Sequence, residues 1–121
     1  MLDHLRQRVI QAFAAVQSVT LSTYGPAGIQ ADVFPCQAVE TRLYLLIPLS
    51  SDQLFNLEQE TAVVLTTKEW QLQGEARILA DIPTNLAQTA DLQWRKVVEI
   101  HPIRLHLHPV NGHISSETID L

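Results

Sequence analysis

From Val19 onward, apolar and polar residues alternate with a period of two, in short runs separated by turn-forming residues. This period is typical of half-buried β-strands, whereas an amphipathic helix shows spacings of three and four. The run from Val19 to Thr23 ends in Tyr24-Gly25-Pro26-Ala27-Gly28, and the chain then alternates again up to Cys36. Glycines and a proline this close together favour a tight hairpin. The sequence therefore predicts an antiparallel fold built from hairpin-connected strands.

Later segments also predict strands. The run from Arg42 to Ile47 is almost entirely apolar, which is typical of a strand buried on both faces. Pro35 has no N–H to donate, so the strand that carries it is predicted to lie at a sheet edge or to bulge there. Further strands are predicted over 62–67, 70–79, 97–108 and 115–121. In the predicted strand over 97–108, alternation puts Ile103 on the same face as Leu105.

Helical spacing is confined to a few segments. Apolar residues three and four apart predict a first helix over 2–17. Ser50 followed by Gln53 matches the capping-box pattern and predicts a second helix up to about Glu60, with Leu54 and Leu57 inward. A short third helix is predicted from Pro83 to Trp94, and a turn at Asn111-Gly112. About six strands and three helices make the predicted fold mainly β and antiparallel rather than a doubly wound α/β sheet.

Composition limits the size of the fold and the classes of partner. A chain of 121 residues, 46% of them hydrophobic, matches one globular domain, so residues 1–121 are expected to form a single domain. Eight Lys and Arg against thirteen Asp and Glu leave a net charge of −5, and the longest basic run is Arg95-Lys96. Nucleic acids and anionic membranes bind concentrated cationic surfaces, so neither is an expected partner.

The predicted location is cytoplasmic. The longest apolar run, Leu43 to Leu49, is far shorter than the ~20 residues that a membrane-spanning helix requires. The N-terminal Met-Leu-Asp-His lacks the basic start and apolar block of a signal peptide. Cys36 is the single cysteine, so no internal disulfide is expected, and it is interpreted as a packing residue rather than a nucleophile.

The histidines are weighed as metal ligands. His106 and His108 lie two residues apart on a predicted strand, so their side chains share a face, as two ligands of one ion do. No carboxylate or cysteine accompanies them at a typical ligand spacing, and the cationic Arg104 shares their face. The pair is interpreted as part of a solvated or interface face, and no metal site is assigned.

Three polar residues stand at the predicted start of the second helix: Ser50, Ser51 and Gln53. Free N–H groups and the positive end of a helix dipole suit a phosphate, although an ordinary helix cap has the same composition. Trp70 is interpreted either as the wall of a flat ligand pocket or as a packing residue. Trp94 is interpreted as a core or interface plug.

The order of these elements is similar to that of a known family. The stretch from 19 to 79 resembles the FMN-binding split-barrel superfamily, the family of pyridoxamine 5′-phosphate oxidase and the small FMN-binding proteins. The segments that carry the resemblance are Val-Thr-Leu-Ser-Thr-Tyr-Gly-Pro-Ala-Gly at 19–28, Leu-Tyr-Leu-Leu-Ile-Pro-Leu-Ser-Ser at 43–51, Asn56-Leu57, Ala-Val-Val-Leu-Thr at 62–66 and Trp-Gln-Leu-Gln-Gly-Glu-Ala-Arg-Ile-Leu at 70–79.

The resemblance implies a six-stranded antiparallel split β-barrel that forms a homodimer with two FMN sites between the subunits. Members use FMN to move hydride equivalents to or from a small organic molecule. They commonly hold the FMN phosphate with a Ser or Thr and a Lys or Arg just before the second helix. Here that segment is Ser50-Ser51-Asp52-Gln53, which has the hydroxyls but no cation, and the return strand shows Gln30 and Asp32 where many members have a basic residue.

Two hypotheses follow. In the first, the chain is an FMN-dependent oxidoreductase in which Ser50, Ser51 and Gln53 contact the phosphate, Phe34 and Trp70 lie near the ring, and no side chain is catalytic. In the second, the chain is a cofactor-free split-barrel dimer, a binding or interaction module with a degenerate flavin site. A haem-binding version of the second would use a histidine such as His106 or His108.

Overall fold

The computed structural model describes residues 3–83, 86, 94–109 and 117–121, which form two helices and seven strands. In chain order the elements are α1 (Asp3–Ala14), β1 (Ser18–Gly25), β2 (Gly28–Val39), β3 (Arg42–Pro48), α2 (Asp52–Gln59), β4 (Ala62–Thr66), β5 (Trp70–Ile78), β6 (Arg95–Leu107) and β7 (Glu117–Asp120). Most of the predicted third helix and the whole Asn111-Gly112 turn lie outside the described residues. None of the described helices is long and apolar enough to cross a membrane.

Six antiparallel strands close into a barrel. The hydrogen-bonded order is β3-β2-β1-β4-β5-β6, and β6 also pairs with β3, which closes the ring. β7 adds to the second half of β6, with Arg104 opposite Asp120 and Leu107 opposite Glu117. The predicted fold class is therefore confirmed: a mainly β, six-stranded antiparallel barrel with flanking helices. The last short strand of the prediction is the added β7.

β2 changes partner at Pro35, and this change splits the barrel. Residues Gly28 to Pro35 pair with β1, and Cys36 to Val39 pair with β3. Within the described ranges no second strand pairs with the first part of β2, so one of its edges is open. An open edge tolerates a residue that has no N–H, and the predicted edge position of Pro35 is confirmed.

α1 closes one end of the barrel. Val9 and Phe13 of α1 are fully buried, and the Phe13 ring centre lies 5.2 Å from that of Trp70. Trp70 begins β5 and donates its indole N–H to the Ala12 carbonyl at 3.2 Å. Burial of Phe13 alone contributes about 1.5–3 kcal/mol. The predicted first helix is confirmed, and its apolar stripe holds it against the barrel interior.

α2 covers the opposite end. Ile78, the last residue of β5, lines a cavity together with Leu54 of α2, whereas Trp70 at the start of the same strand contacts α1. Leu54 and Leu57 are buried as predicted. The two helices therefore cap the two ends of one barrel.

A bulge in β6 changes which of its side chains face inward. Gln73 pairs with Arg104 and Gly74 with Pro102, so Ile103 is an extra residue in β6. The prediction that Ile103 shares a face with Leu105 is wrong, because the bulge turns Ile103 outward to 44% exposure while Leu105 is fully buried. Glycine suits position 74 because a Cβ there would lie 2.9 Å from the His101 carbonyl oxygen.

Candidate functional site

The N-terminus of α2 is capped one residue later than the sequence pattern predicts. The Ser51 hydroxyl accepts a hydrogen bond from the Gln53 N–H at 3.1 Å, and Ser51 is the N-cap. The predicted capping box between Ser50 and Gln53 is wrong, because the Gln53 side chain does not return to the helix start. It enters the barrel end instead, where it is fully buried.

Gln53 bonds with both ends of its side-chain amide. Its Nε2 donates to the Asp32 carboxylate at 2.9 Å and to the Leu21 carbonyl at 3.2 Å. Its Oε1 accepts from the Thr23 hydroxyl. A buried amide with these partners is satisfied, and moving it toward a ligand would leave the Thr23 and Leu21 groups unpaired.

Asn56 lies one turn further along α2 and holds the β1–β2 hairpin. Its Nδ2 donates to the Thr23 hydroxyl at 3.0 Å and to the Gly28 carbonyl at 2.9 Å, and its Oδ1 accepts from the Ala27 N–H at 2.8 Å. A Cβ on Gly25 would lie 2.7 Å from that Oδ1, so glycine permits the close approach. We call Thr23, Gln53 and Asn56 the polar clamp, because together they fasten α2 to the hairpin.

Charge around the polar clamp is acidic. Asp32 on β2 contacts Gln53, and Asp52 occupies the first turn of α2. Within the described part of the chain no Lys or Arg forms an ion pair with either carboxylate. A phosphate about 4 Å from one such carboxylate would meet a repulsion of about 1–4 kcal/mol per pair of unit charges. The absent cation would have contributed roughly 1.5–3 kcal/mol. The residues present at this point therefore do not fit the phosphate of FMN.

One cation does reach the outer side of α2. Lys96 and Ser51 line a cavity of ≈ 280 Å³ whose other walls are mostly apolar, with Glu58 at one side. Lys96 stands there because β6 pairs with β3 and places it opposite Ile47. Sequence reasoning missed Lys96, since it is far from Ser51 along the chain and only the pairing of β3 with β6 brings it close.

Three arginines do not supply the missing cation at α2. Arg77 lies 3.3 Å from Glu99, and Arg104 lies 2.6 Å from Asp120. Arg42 begins β3, whereas α2 follows the end of that strand.

The two aromatic site candidates belong to the core. Phe34 and Trp70 are both buried inside the barrel, and Trp70 packs under α1. β5 runs from Trp70 at the α1 end to Ile78 at the α2 end, and eight steps along a strand span about 26 Å. The structure therefore does not bring Trp70 beside Ser50, Ser51 or Gln53. Trp94 is exposed in the single chain, so it is not a core plug.

Cys36 and the pair His106 and His108 are the remaining chemical candidates. Cys36 is buried, and burial raises the pKa of its thiol to about 11, which fits the predicted packing role because the reactive thiolate is disfavoured. His106 and His108 share a face as predicted, with ring centres 5.7 Å apart. Among the described side chains there is no group of three or more His, Cys, Asp or Glu arranged to hold a metal ion.

The outside of the barrel carries an apolar surface that the sequence did not single out. We call Tyr24, Ile29, Val33 and Ile103 the outer apolar face. Tyr24 is 69%, Ile29 79% and Val33 66% exposed. Tyr24 pairs directly with Ile29, and the alternation of β2 puts Val33 on the same side. A groove of ≈ 480 Å³ runs beside Tyr24, Ile29 and Ile103. Its polar lining residues are Ser22, Thr23, Gln73 and Glu75.

No family model matches the chain, and no curated protein matches it in sequence. Solved structures do match. One is a Clostridium acetobutylicum protein described as related to general stress protein 26 of B. subtilis, of the pyridoxinephosphate oxidase family. It matches with a TM-score of 0.73 at 11% identity, and the match covers 100% of this chain and 97% of that chain. A Listeria innocua protein assigned as a pyridoxamine 5′-phosphate oxidase has a TM-score of 0.67 at 13% identity, covering 85% of this chain and 97% of that chain.

A haem binding protein of Mycobacterium smegmatis also matches, with a TM-score of 0.64 at 14% identity; the match covers 95% of this chain and 56% of that chain. These likenesses show the fold of the chain, which is the split barrel of pyridoxamine 5′-phosphate oxidase-like proteins.

Proposed function

We propose that this chain, a split barrel of the pyridoxamine 5′-phosphate oxidase-like type, is a cytoplasmic homodimeric binding module rather than a flavin oxidoreductase. The observation that carries the proposal is the 2.9 Å contact between Gln53 Nε2 and the Asp32 carboxylate. The resemblance leads one to expect a cation just before α2 and a basic residue on the return strand. The corresponding segments hold an amide and a carboxylate that bond to each other.

The use of these groups within the fold argues against a phosphate site at the start of α2. Gln53 is fully buried and its hydrogen bonds stay within the chain, so it is a structural group that fastens α2. Binding FMN phosphate there would separate Gln53 from Asp32 and place a second anion beside an uncompensated carboxylate. The chain therefore has the barrel fold without the residues that would bind the FMN phosphate.

The outer apolar face supports the homodimer. Contiguous exposed apolar side chains on a folded protein mark contact surfaces, and the bulge in β6 adds Ile103 to this one. A second copy seated on this face removes Ile29 and Val33 from water. We place the dimer interface there.

The same face supplies a site for a small molecule. The groove of ≈ 480 Å³ has the size of a small-molecule pocket, with apolar walls and a few polar groups. Because the second copy covers this groove, the ligand would be enclosed between the subunits. The ligand class that fits is a largely apolar, uncharged molecule that hydrogen-bonds Ser22 or Gln73.

An FMN-dependent oxidoreductase is the second candidate, and a specific observation favours it. Lys96 and Ser51 line one cavity beside the start of α2, so a cation and a hydroxyl are available to a phosphate on the outer side of that helix. FMN, when bound, supplies hydride transfer. In this candidate Lys96 holds the phosphate charge, and Ser50 and Ser51 donate hydroxyl hydrogen bonds to it.

The absorption spectrum of the purified protein separates these candidates. The binding-module proposal predicts a colourless protein that releases no flavin on denaturation. A yellow protein with one releasable flavin per chain, whose colour is lost in Lys96→Met and kept in Lys68→Met, would establish the second candidate instead. A haem spectrum would support the haem-binding version of the module, with His106 or His108 as its ligand.

A further inference from the structure

We propose that His106 and His108 form a chelating site for a divalent transition metal ion of the kind that imidazole prefers, such as Zn²⁺. The proposal is independent of the function proposed above. It starts from the position of the two residues: His106 lies near the end of β6, His108 follows that strand directly, and their neighbouring rings are both partly exposed.

The spacing of the rings suits one shared ion. Their centres are 5.7 Å apart and their planes are inclined by 63°. A zinc-bound imidazole nitrogen lies at about 2.0–2.1 Å, so two rings on one ion have centres roughly 4.5–6 Å apart. The observed distance between the ring centres therefore falls within the range for two imidazoles on one ion.

Each ring is already held by its inner nitrogen. His108 Nδ1 lies 3.0 Å from the Lys68 carbonyl oxygen, which only accepts, so Nδ1 carries a hydrogen and the lone pair of the neutral ring is on Nε2. His106 Nδ1 lies 2.9 Å from the Thr118 hydroxyl, which leaves its Nε2 as the outer nitrogen. A hydrogen bond on the inner nitrogen is the arrangement that orients metal-binding histidines.

The charge that argued against a metal in the sequence is compensated in the structure. Arg104 shares the face of the two histidines, but its guanidinium donates to Asp120 at 2.6 Å. Gln71, which pairs with His106, is uncharged. A cavity of ≈ 250 Å³ beside His106 has room for the waters that complete the coordination. Since no group of three ligating side chains occurs among the described residues, the site is a two-imidazole site that is open to water.

Zn²⁺ titration of the full chain by calorimetry tests the site. We expect one Zn²⁺ per chain, and at least tenfold weaker Zn²⁺ binding in His106→Gln and in His108→Gln. His101, an exposed histidine of β6, provides the control: His101→Gln should bind Zn²⁺ with an affinity within twofold of the wild type. Thr118→Val, which removes the hydroxyl at His106 Nδ1, should weaken binding roughly tenfold.

Circular dichroism of each variant checks that the fold is retained, so that weaker binding reports the loss of a metal ligand. The proposal is overturned if the wild-type chain takes up no Zn²⁺, or if the double variant His106→Gln/His108→Gln binds it as tightly as the wild type does.

Discussion

At the scale of single residues, the decisive group is a glutamine whose role its sequence position does not reveal. The spacing of Ser50 and Gln53 is that of a capping box, and it predicts the start of a helix to within two residues. What the spacing cannot predict is that Gln53 turns inward, because its partners Thr23 and Asp32 come from strands 21 to 30 residues earlier. Burial of the amide is decided by tertiary contact.

The polar clamp gives a prediction at this scale. Asn56 is fully buried, and Asn56→Ala removes its three hydrogen bonds, to the Thr23 hydroxyl, the Gly28 carbonyl and the Ala27 N–H. We expect it to lower the free energy of unfolding by about 2–4 kcal/mol, since three hydrogen bonds are lost and each contributes roughly 0.5–1.5 kcal/mol.

Urea denaturation followed by circular dichroism measures this change. Gln59→Ala, on the exposed side of the same helix, is the matched control and should stay within about 0.5 kcal/mol of the wild type. Equal stabilities of the two variants would show that the clamp does not hold α2.

At the scale of elements, alternation predicted strands such as β1 and β5 well because each has one buried and one more exposed side. The helix over 2–17 and the strand over 42–47 were equally readable from apolar spacing. The bulge at Ile103 could not be predicted, because Ile103, Leu105 and Leu107 keep an unbroken period of two in the sequence. Only the pairing of Gly74 with Pro102 shows that Ile103 is an extra residue. Closure of the barrel by β3 and β6 joins segments about fifty residues apart, and no local pattern reports it.

The cap of α2 is tested at the scale of the element. Because Ser51 accepts from the Gln53 N–H, Ser51→Ala should destabilise the chain by about 1 kcal/mol, in the usual range for a lost N-cap. Ser50→Ala removes only an exposed hydroxyl and should change stability by less than about 0.5 kcal/mol. Thermal unfolding of the pair measures the difference, and a larger loss in Ser50→Ala would restore the cap to the position that the sequence pattern gives.

At the scale of the whole molecule, the outer apolar face predicts self-association. Sedimentation velocity at micromolar concentration should give a dimer for the wild-type chain. Ile29→Glu places a charge on the proposed interface without disturbing the core, because Ile29 is 79% exposed, and it should give a monomer. Leu49→Glu, an exposed apolar position at the α2 end of the barrel, should leave the dimer intact. A monomeric wild-type chain, or a dimeric Ile29→Glu variant, would contradict this interface.

The fold and the chemistry of the chain thus point in different directions. The barrel is that of pyridoxamine 5′-phosphate oxidase-like proteins. The contact between Asp32 and Gln53 occupies the position where a phosphate-binding cation was expected. The resemblance predicted the fold, and the sequence itself showed that the expected basic residues are missing. Their consequence required the structure, since it depends on Gln53 being buried and bonded.

The most direct test compares the affinities of FMN and riboflavin for the purified chain by quenching of flavin fluorescence. Riboflavin shares the ring and lacks the phosphate, so the difference isolates the phosphate grip. The account predicts that FMN binds no more tightly than riboflavin, because a phosphate at the start of α2 meets the carboxylate of Asp32 and no cation within the polar clamp. FMN binding that is saturable and at least tenfold tighter than that of riboflavin would contradict it.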